Sequence, residues 1–145
     1  MNLAPNLNDL GVFVLDQSAI EDLKASARMS PLRRARFCLH PSNKSYVQEM
    51  VIALFNDSVV EPHKHPVNKP ESYHLIEGAM DVHIFDPHGN RNQLIELRLD
   101  GARLYRIRGD VWHQPVAVSE CAVYHEVYTG PFNKLADVSY ADWKN

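Results

Sequence analysis

The chain has 145 residues, 45% of them hydrophobic, and a formal net charge of -3 from 15 basic and 18 acidic side chains, the make-up of one globular domain with a proper core. That balance excludes a disordered chain, and mixed charge without a basic stripe argues against nucleic acid as a partner. Only Cys38 and Cys121 are present, too few for a disulfide framework and too far apart for a redox or zinc motif, so both are expected to be packed thiols.

The opening Met1-Asn2-Leu3-Ala4-Pro5 lacks the charged segment and apolar core of a signal peptide, and runs such as 51–55 are far too short to span a bilayer. A cytoplasmic protein with no membrane partner is the expectation. A helix follows within an N-terminal segment, residues 1–35: Ser18 with Glu21 fits a capping box, Ile20, Leu23 and Ala27 form one apolar stripe, and Ser30-Pro31 stops it. Arg33, Arg34 and Arg36, with His40, make the one compact cationic group. Such donors suit a carboxylate or phosphate on a small-molecule substrate, although a run of charges after a helix is also an ordinary solvated face.

From residue 36 the texture changes to short strand-like runs at 47–55, 59–64, 72–77, 80–85, 94–99, 103–107, 113–118 and 122–128, separated by turns such as Asn56-Asp57-Ser58 and Asp86-Pro87-His88-Gly89-Asn90. Eight such strands predict an all-β jelly-roll barrel over residues 36–132. Residues 133–145 remain as a C-terminal tail carrying Tyr140 and Trp143, either a capping segment or a partner surface.

Within that pattern His63 and His65 stand two apart, so on a strand both imidazoles face one side while Lys64 faces the other. Asn68-Lys69-Pro70 reads as a turn, and the run from Glu71 reads as the returning strand, with Glu71 close to the histidine pair and Gly78 closing the strand. His113 arrives later, in Gly109-Asp110-Val111-Trp112-His113. Three imidazole nitrogens and one carboxylate suit a single divalent transition metal, zinc, iron, manganese or nickel, in an open working site better than a closed structural one. Alternation places Tyr73 on the face of Glu71 and His74 on the opposite one, so Tyr73 is a candidate to orient a substrate oxygen. In the last strand Tyr124, Glu126 and Tyr128 share one face and Val123, His125 and Val127 the other; either Glu126 or His125 is left as the acid or base near the metal.

The stretch from His63 to Gly78 resembles the first cupin motif and Gly109 to His113 the second, which implies a cupin double-stranded β-helix with His63, His65, Glu71 and His113 as ligands. The chain departs from the motif where Val59, Val60 and Glu61 lack the usual glycine and where Ile107 replaces a proline; neither change removes a ligand. More narrowly, Arg33-Arg34-Ala35-Arg36, Cys38-Leu39-His40-Pro41, Val47-Gln48-Glu49-Met50, Val111-Trp112-His113 and Glu126-Val127-Tyr128-Thr129-Gly130-Pro131 resemble the WbuC-type cupin-fold metalloproteins. That resemblance implies a link to surface-polysaccharide synthesis and, as in many small cupins, a homodimer. The leading expectation is a metal-dependent isomerase, epimerase or lyase acting on a carbohydrate-like or sugar-nucleotide molecule. The alternatives are an Fe(II) dioxygenase and a non-catalytic, metal-anchored binding module.

Overall fold

A computed structural model describes residues 1–143, so Lys144 and Asn145 of the expected tail lie outside the described residues. The elements in chain order are β1 (Asn2–Leu3), α1 (Gln17–Met29), β2 (Arg34–Cys38), β3 (Val47–Phe55), β4 (His63–Lys64), β5 (Glu71–Glu77), β6 (Ala79–Phe85), β7 (Arg91–Arg98), β8 (Leu104–Ile107), β9 (Trp112–Ala117), β10 (Cys121–Thr129), α2 (Lys134–Asp137) and β11 (Ser139–Tyr140). They form two sheets, ordered β1-β2-β3-β10-β5-β8 and β11-β4-β9-β6-β7.

Strand β3 explains the layering. Met50, Ile52 and Leu54 point between the sheets, where they meet Tyr73, Leu75, Met80, Val82, Leu97, Ala117 and Tyr124. Val51, Ala53 and Phe55 point the other way, against Ile20, Leu23 and Ala27 of α1. A strand covered on both faces reads as a continuous apolar run, which is why its bounds are legible in sequence. The predicted helical stripe is the buried one, each large apolar side chain contributing about 1.5–3 kcal/mol. The cap differs: Asp16, not Ser18, accepts from the Ala19 amide at 2.9 Å and starts the helix.

Three strands escape the sequence reading, and one shrinks. Arg34 and Arg36 mark β2 as a cluster of charges, yet Ala35 and Phe37, which alternate with them, are buried under α1, the pattern of an ordinary strand. The strands β1 and β11 are only two residues long. The expected strand at 59–64 contracts to His63–Lys64 because side chains take its carbonyls: Arg34 donates to Val59 O at 2.8 Å and Gln114 to Val60 O at 2.7 Å. Gly78, at φ 79°, carries the chain from β5 in one sheet to β6 in the other. Among the described residues no helix is long and apolar enough to cross a membrane.

Candidate metal centre

The site is assembled by both sheets. His63 and His113 are cross-strand partners on β4 and β9, and His65 follows β4 directly, with Lys64 turned away over the Trp112 ring. Glu71 belongs to the opposite sheet, where β5 pairs with β10 and β8. The expectation of a returning strand beside the histidine pair is therefore corrected: Glu71 approaches it across the barrel. The connection between them turns at Pro66–Lys69, and Gly109 passes so near the Pro66 carbonyl that any Cβ would collide with it, which brings the His113 turn close to His65. The Asp110 amide donates to His65 O at 2.7 Å and completes that junction.

Each imidazole is fixed in the same way. Nδ1 of His63, His65 and His113 meets the backbone carbonyl of Glu61, Asp137 and Val111 at 2.8, 2.8 and 2.9 Å respectively. A carbonyl only accepts, so Nδ1 carries the proton and Nε2 presents a lone pair. The ligating atoms of the three histidines lie within 4.8 Å of one another. Glu71 Oε1 is 2.7 Å from His113 Nε2, and Oε2 is 3.2 Å from His65 Nε2. Those pairs nonetheless miss hydrogen-bond alignment: His65 Nε2, His113 Nε2 and Glu71 Oε1 are buried with no hydrogen-bond partner. Buried polar atoms turned toward a common point, yet unbonded, fit a divalent ion far better than a packed core.

The electrostatics agree. Burial opposes the Glu71 charge, but His113 and His65 hold its carboxyl well below the usual carboxylate range. Burial, helped by the His113 charge, lowers His63 to about 4. Burial also opposes protonation of His65, yet Glu71 outweighs it and raises the pKa above the ordinary imidazole value. A raised value means that a proton competes for His65 at higher pH than for a free imidazole. Metal retention should therefore fall as pH drops through the ordinary imidazole range, about 6.5. Equilibrium dialysis from pH 8 to pH 4 with metal analysis checks this, and retention unchanged at pH 4 would count against a three-histidine site.

The remaining candidates divide. Tyr73 is buried on the inner face as expected, and burial keeps its hydroxyl protonated. Glu126 faces inward, its Cα paired with Met50 and Tyr73. Burial, then the Glu71 charge, raises it to about 8, against the moderating charges of Arg36 and His65. His125 lies on the outer face, opposite Val51, its Nε2 2.8 Å from Glu49 Oε1, and is not brought to the metal centre. Arg33 is held by Asp57 at 2.9 Å, Arg34 by Val59 O, and His40 Nδ1 by the Glu49 backbone at 3.0 Å. Arg34 and Arg36 both stand on the inner face, opposite Leu54 and Ile52; Arg34 is held by Val59 O and Ser58 Oγ, whereas Arg36 contacts Met50 Sδ at 3.4 Å. Cys38 lies beside it, half-buried, with its thiol pKa raised by burial. Sequence reasoning missed Tyr105 and Tyr128, whose hydroxyls are buried without partners, and Asp137. The alternation of Tyr124, Glu126 and Tyr128 carried the signal for one of these. Nothing local marks Asp137.

A family model described as a domain of unknown function, DUF6016, matches residues 15–97. No curated protein matches the sequence. Among solved structures, an uncharacterized Klebsiella pneumoniae protein with a double-stranded β-helix domain aligns with TM-score 0.60 and 15% identity, over 85% of this chain and 94% of that one. KdgF from Halomonas sp. aligns with TM-score 0.54 and 13% identity, over 73% and 86%. A Shewanella oneidensis protein aligns with TM-score 0.56 and 13% identity over 70% of this chain, which spans 65% of its length, just under two thirds. At such identities the likeness is one of fold, and the fold is the cupin double-stranded β-helix with an N-terminal helix.

Proposed function

Because the chain belongs to the DUF6016 family, a domain of unknown function, we propose its chemistry from the site itself: a metal-dependent enzyme acting on a small, oxygen-rich, anionic molecule. The observation that carries this reading is the set of three imidazoles, each with Nδ1 bonded to a backbone carbonyl and their ligating atoms within 4.8 Å of one another, with Glu71 against two of them. His63, His65, Glu71 and His113 would hold a divalent zinc, iron, manganese or nickel ion, which would supply a Lewis acid for a carbonyl or hydroxyl oxygen.

The chain's own groups supply the rest. Burial and the Glu71 charge raise the Glu126 carboxyl in the metal-free protein, which suits a group that takes a proton from a carbon beside a carbonyl and returns it. Tyr73 donates a hydrogen bond without ionising. The unpartnered hydroxyls of Tyr105 and Tyr128 favour a ligand rich in acceptor oxygens. Arg36 offers a free guanidinium to a carboxylate or phosphate. Proton transfer of this kind belongs to isomerases, epimerases and lyases. The WbuC-type resemblance directs the first assays to sugar acids, sugar phosphates and sugar nucleotides of surface-polysaccharide synthesis.

The test is metal analysis of untagged protein followed by calorimetric titration with sugar phosphates and sugar acids, comparing Arg36→Met with the parent. We expect close to one ion per chain, and at least about a tenfold loss of affinity for anionic ligands in the variant, with neutral sugars unaffected. Protein that takes up no metal sinks the reading. Iron with oxygen consumption would favour a dioxygenase, and binding without turnover a metal-anchored binding module.

A further inference from the structure

The C-terminal segment reaches two of the three histidine ligands, although no ligand lies within it. The Asp137 carbonyl accepts from His65 Nδ1 at 2.8 Å, and β11 pairs with β4 so that Tyr140 lies opposite His63. The side chain that holds this carbonyl in place is itself clamped. Asp137, 3% exposed, receives Lys69 Nζ at 2.8 and 2.9 Å on its two oxygens and the Asn133 amide at 2.9 Å. Lys69 also donates to Pro131 O. Beyond, the Ala141 amide donates to Pro62 O at 3.0 Å, and the Trp143 ring packs on Phe85 and Trp112 with Nε1 donating to Pro87 O at 3.1 Å. A buried ion pair at the end of a four-residue helix is more than a tail needs merely to lie on a sheet.

We infer that residues 134–143 are a working part of the metal centre, with Asp137 and Lys69 as positioning residues that fix the tautomer and direction of His65. The inference rests on the metal reading above and concerns how the site is held. A ligating histidine whose Nδ1 loses its acceptor rotates and exchanges tautomers, which weakens metal binding by about 10–100-fold.

Cobalt(II) is the probe, since its visible bands report ligand geometry. Asp137→Ala should lower cobalt affinity by about 10–100-fold and alter the bands. The double variant Lys69→Gln with Asp137→Asn, which keeps a neutral hydrogen-bonded pair, should recover most of the affinity. Asp81→Ala is the control: it breaks the 2.8 Å pair with Arg98 in the same sheet but touches no ligand. Equal affinity and spectrum in Asp137→Ala, or an equal loss in Asp81→Ala, overturns the inference. Parent protein that takes up no cobalt fails the metal reading itself, a different result. A second measurement needs no variant, because coupling is reciprocal. Zinc should slow amide exchange in peptides spanning 134–143 relative to α1 in the full-length protein, and an unchanged rate there would equally overturn the inference.

Discussion

Replacing His113 by alanine is expected to abolish stoichiometric metal binding and to destabilise the metal-free protein as well. His113 is fully buried and sits 2.7 Å from Glu71 Oε1. Its loss removes one of three Nε2 donors and leaves a buried carboxylate with only the 3.2 Å contact to His65. Truncating so large a fully buried side chain leaves a cavity that costs about 2–5 kcal/mol. His63→Ala should also release the metal. It should cost less stability, because Glu71 keeps both of its histidine contacts. His74→Ala is the control, since His74 is exposed on the outer face of β5. Metal titration and thermal melts of the three variants decide the matter; equal metal loss in all three would mean that the inward face of β5 has been misassigned.

The second large effect belongs to Glu126. Its carboxyl is raised from the ordinary carboxylate value to about 8 by burial and by the Glu71 charge. In the unfolded chain the group ionises near 4.5, so between that pH and about 8 the folded protein holds a proton that the unfolded chain has released. Stability from this group is complete below 4.5 and is lost as pH rises through 8. Metal-free Glu126→Gln keeps the shape without the charge. It should match the parent at pH 5 and exceed it at pH 9 by on the order of a few kcal/mol. Melts at the two pH values in the presence of a chelator give the answer, and a parent as stable as the variant at pH 9 would remove the basis for Glu126 as the proton carrier. With substrate in hand, the same variant should retain metal yet lose roughly 10²–10⁴-fold in turnover.

The parts of the site that sequence could reveal are those set by alternation along one strand. His63 and His65 flanking Lys64, Glu71 with Tyr73 against His74, and Tyr124, Glu126 and Tyr128 on one face all follow from a two-residue period. The structure keeps each of those groupings. Alternation gives two faces without saying which is inside, and this is why Glu126 and His125 stayed level in the sequence. Glu126 takes the inner face because Tyr124, two residues before it, packs with Tyr73 and Met50, while the other face, through Val123, packs with α1. His125 then falls opposite Glu49. The cationic group was legible as a group only. Which of its members is free depends on Asp57 and Val59 O, more than 20 residues away, taking Arg33 and Arg34.

Legible in sequence, then, are the all-β class, the buried stripe of α1, the uninterrupted apolar strand β3 and the shared face of His63 and His65, because each is written in local spacing. The tertiary structure decided that β4 and β5 lie in opposite sheets and that Asp137, 72 residues from His65, holds its imidazole. It also decided that Asp57 and Val59 O hold Arg33 and Arg34, while Arg36 contacts Met50 Sδ. Those outcomes come from pairing and packing between distant segments, whose free energy depends on which surfaces meet, and local periodicity carries no information about that meeting.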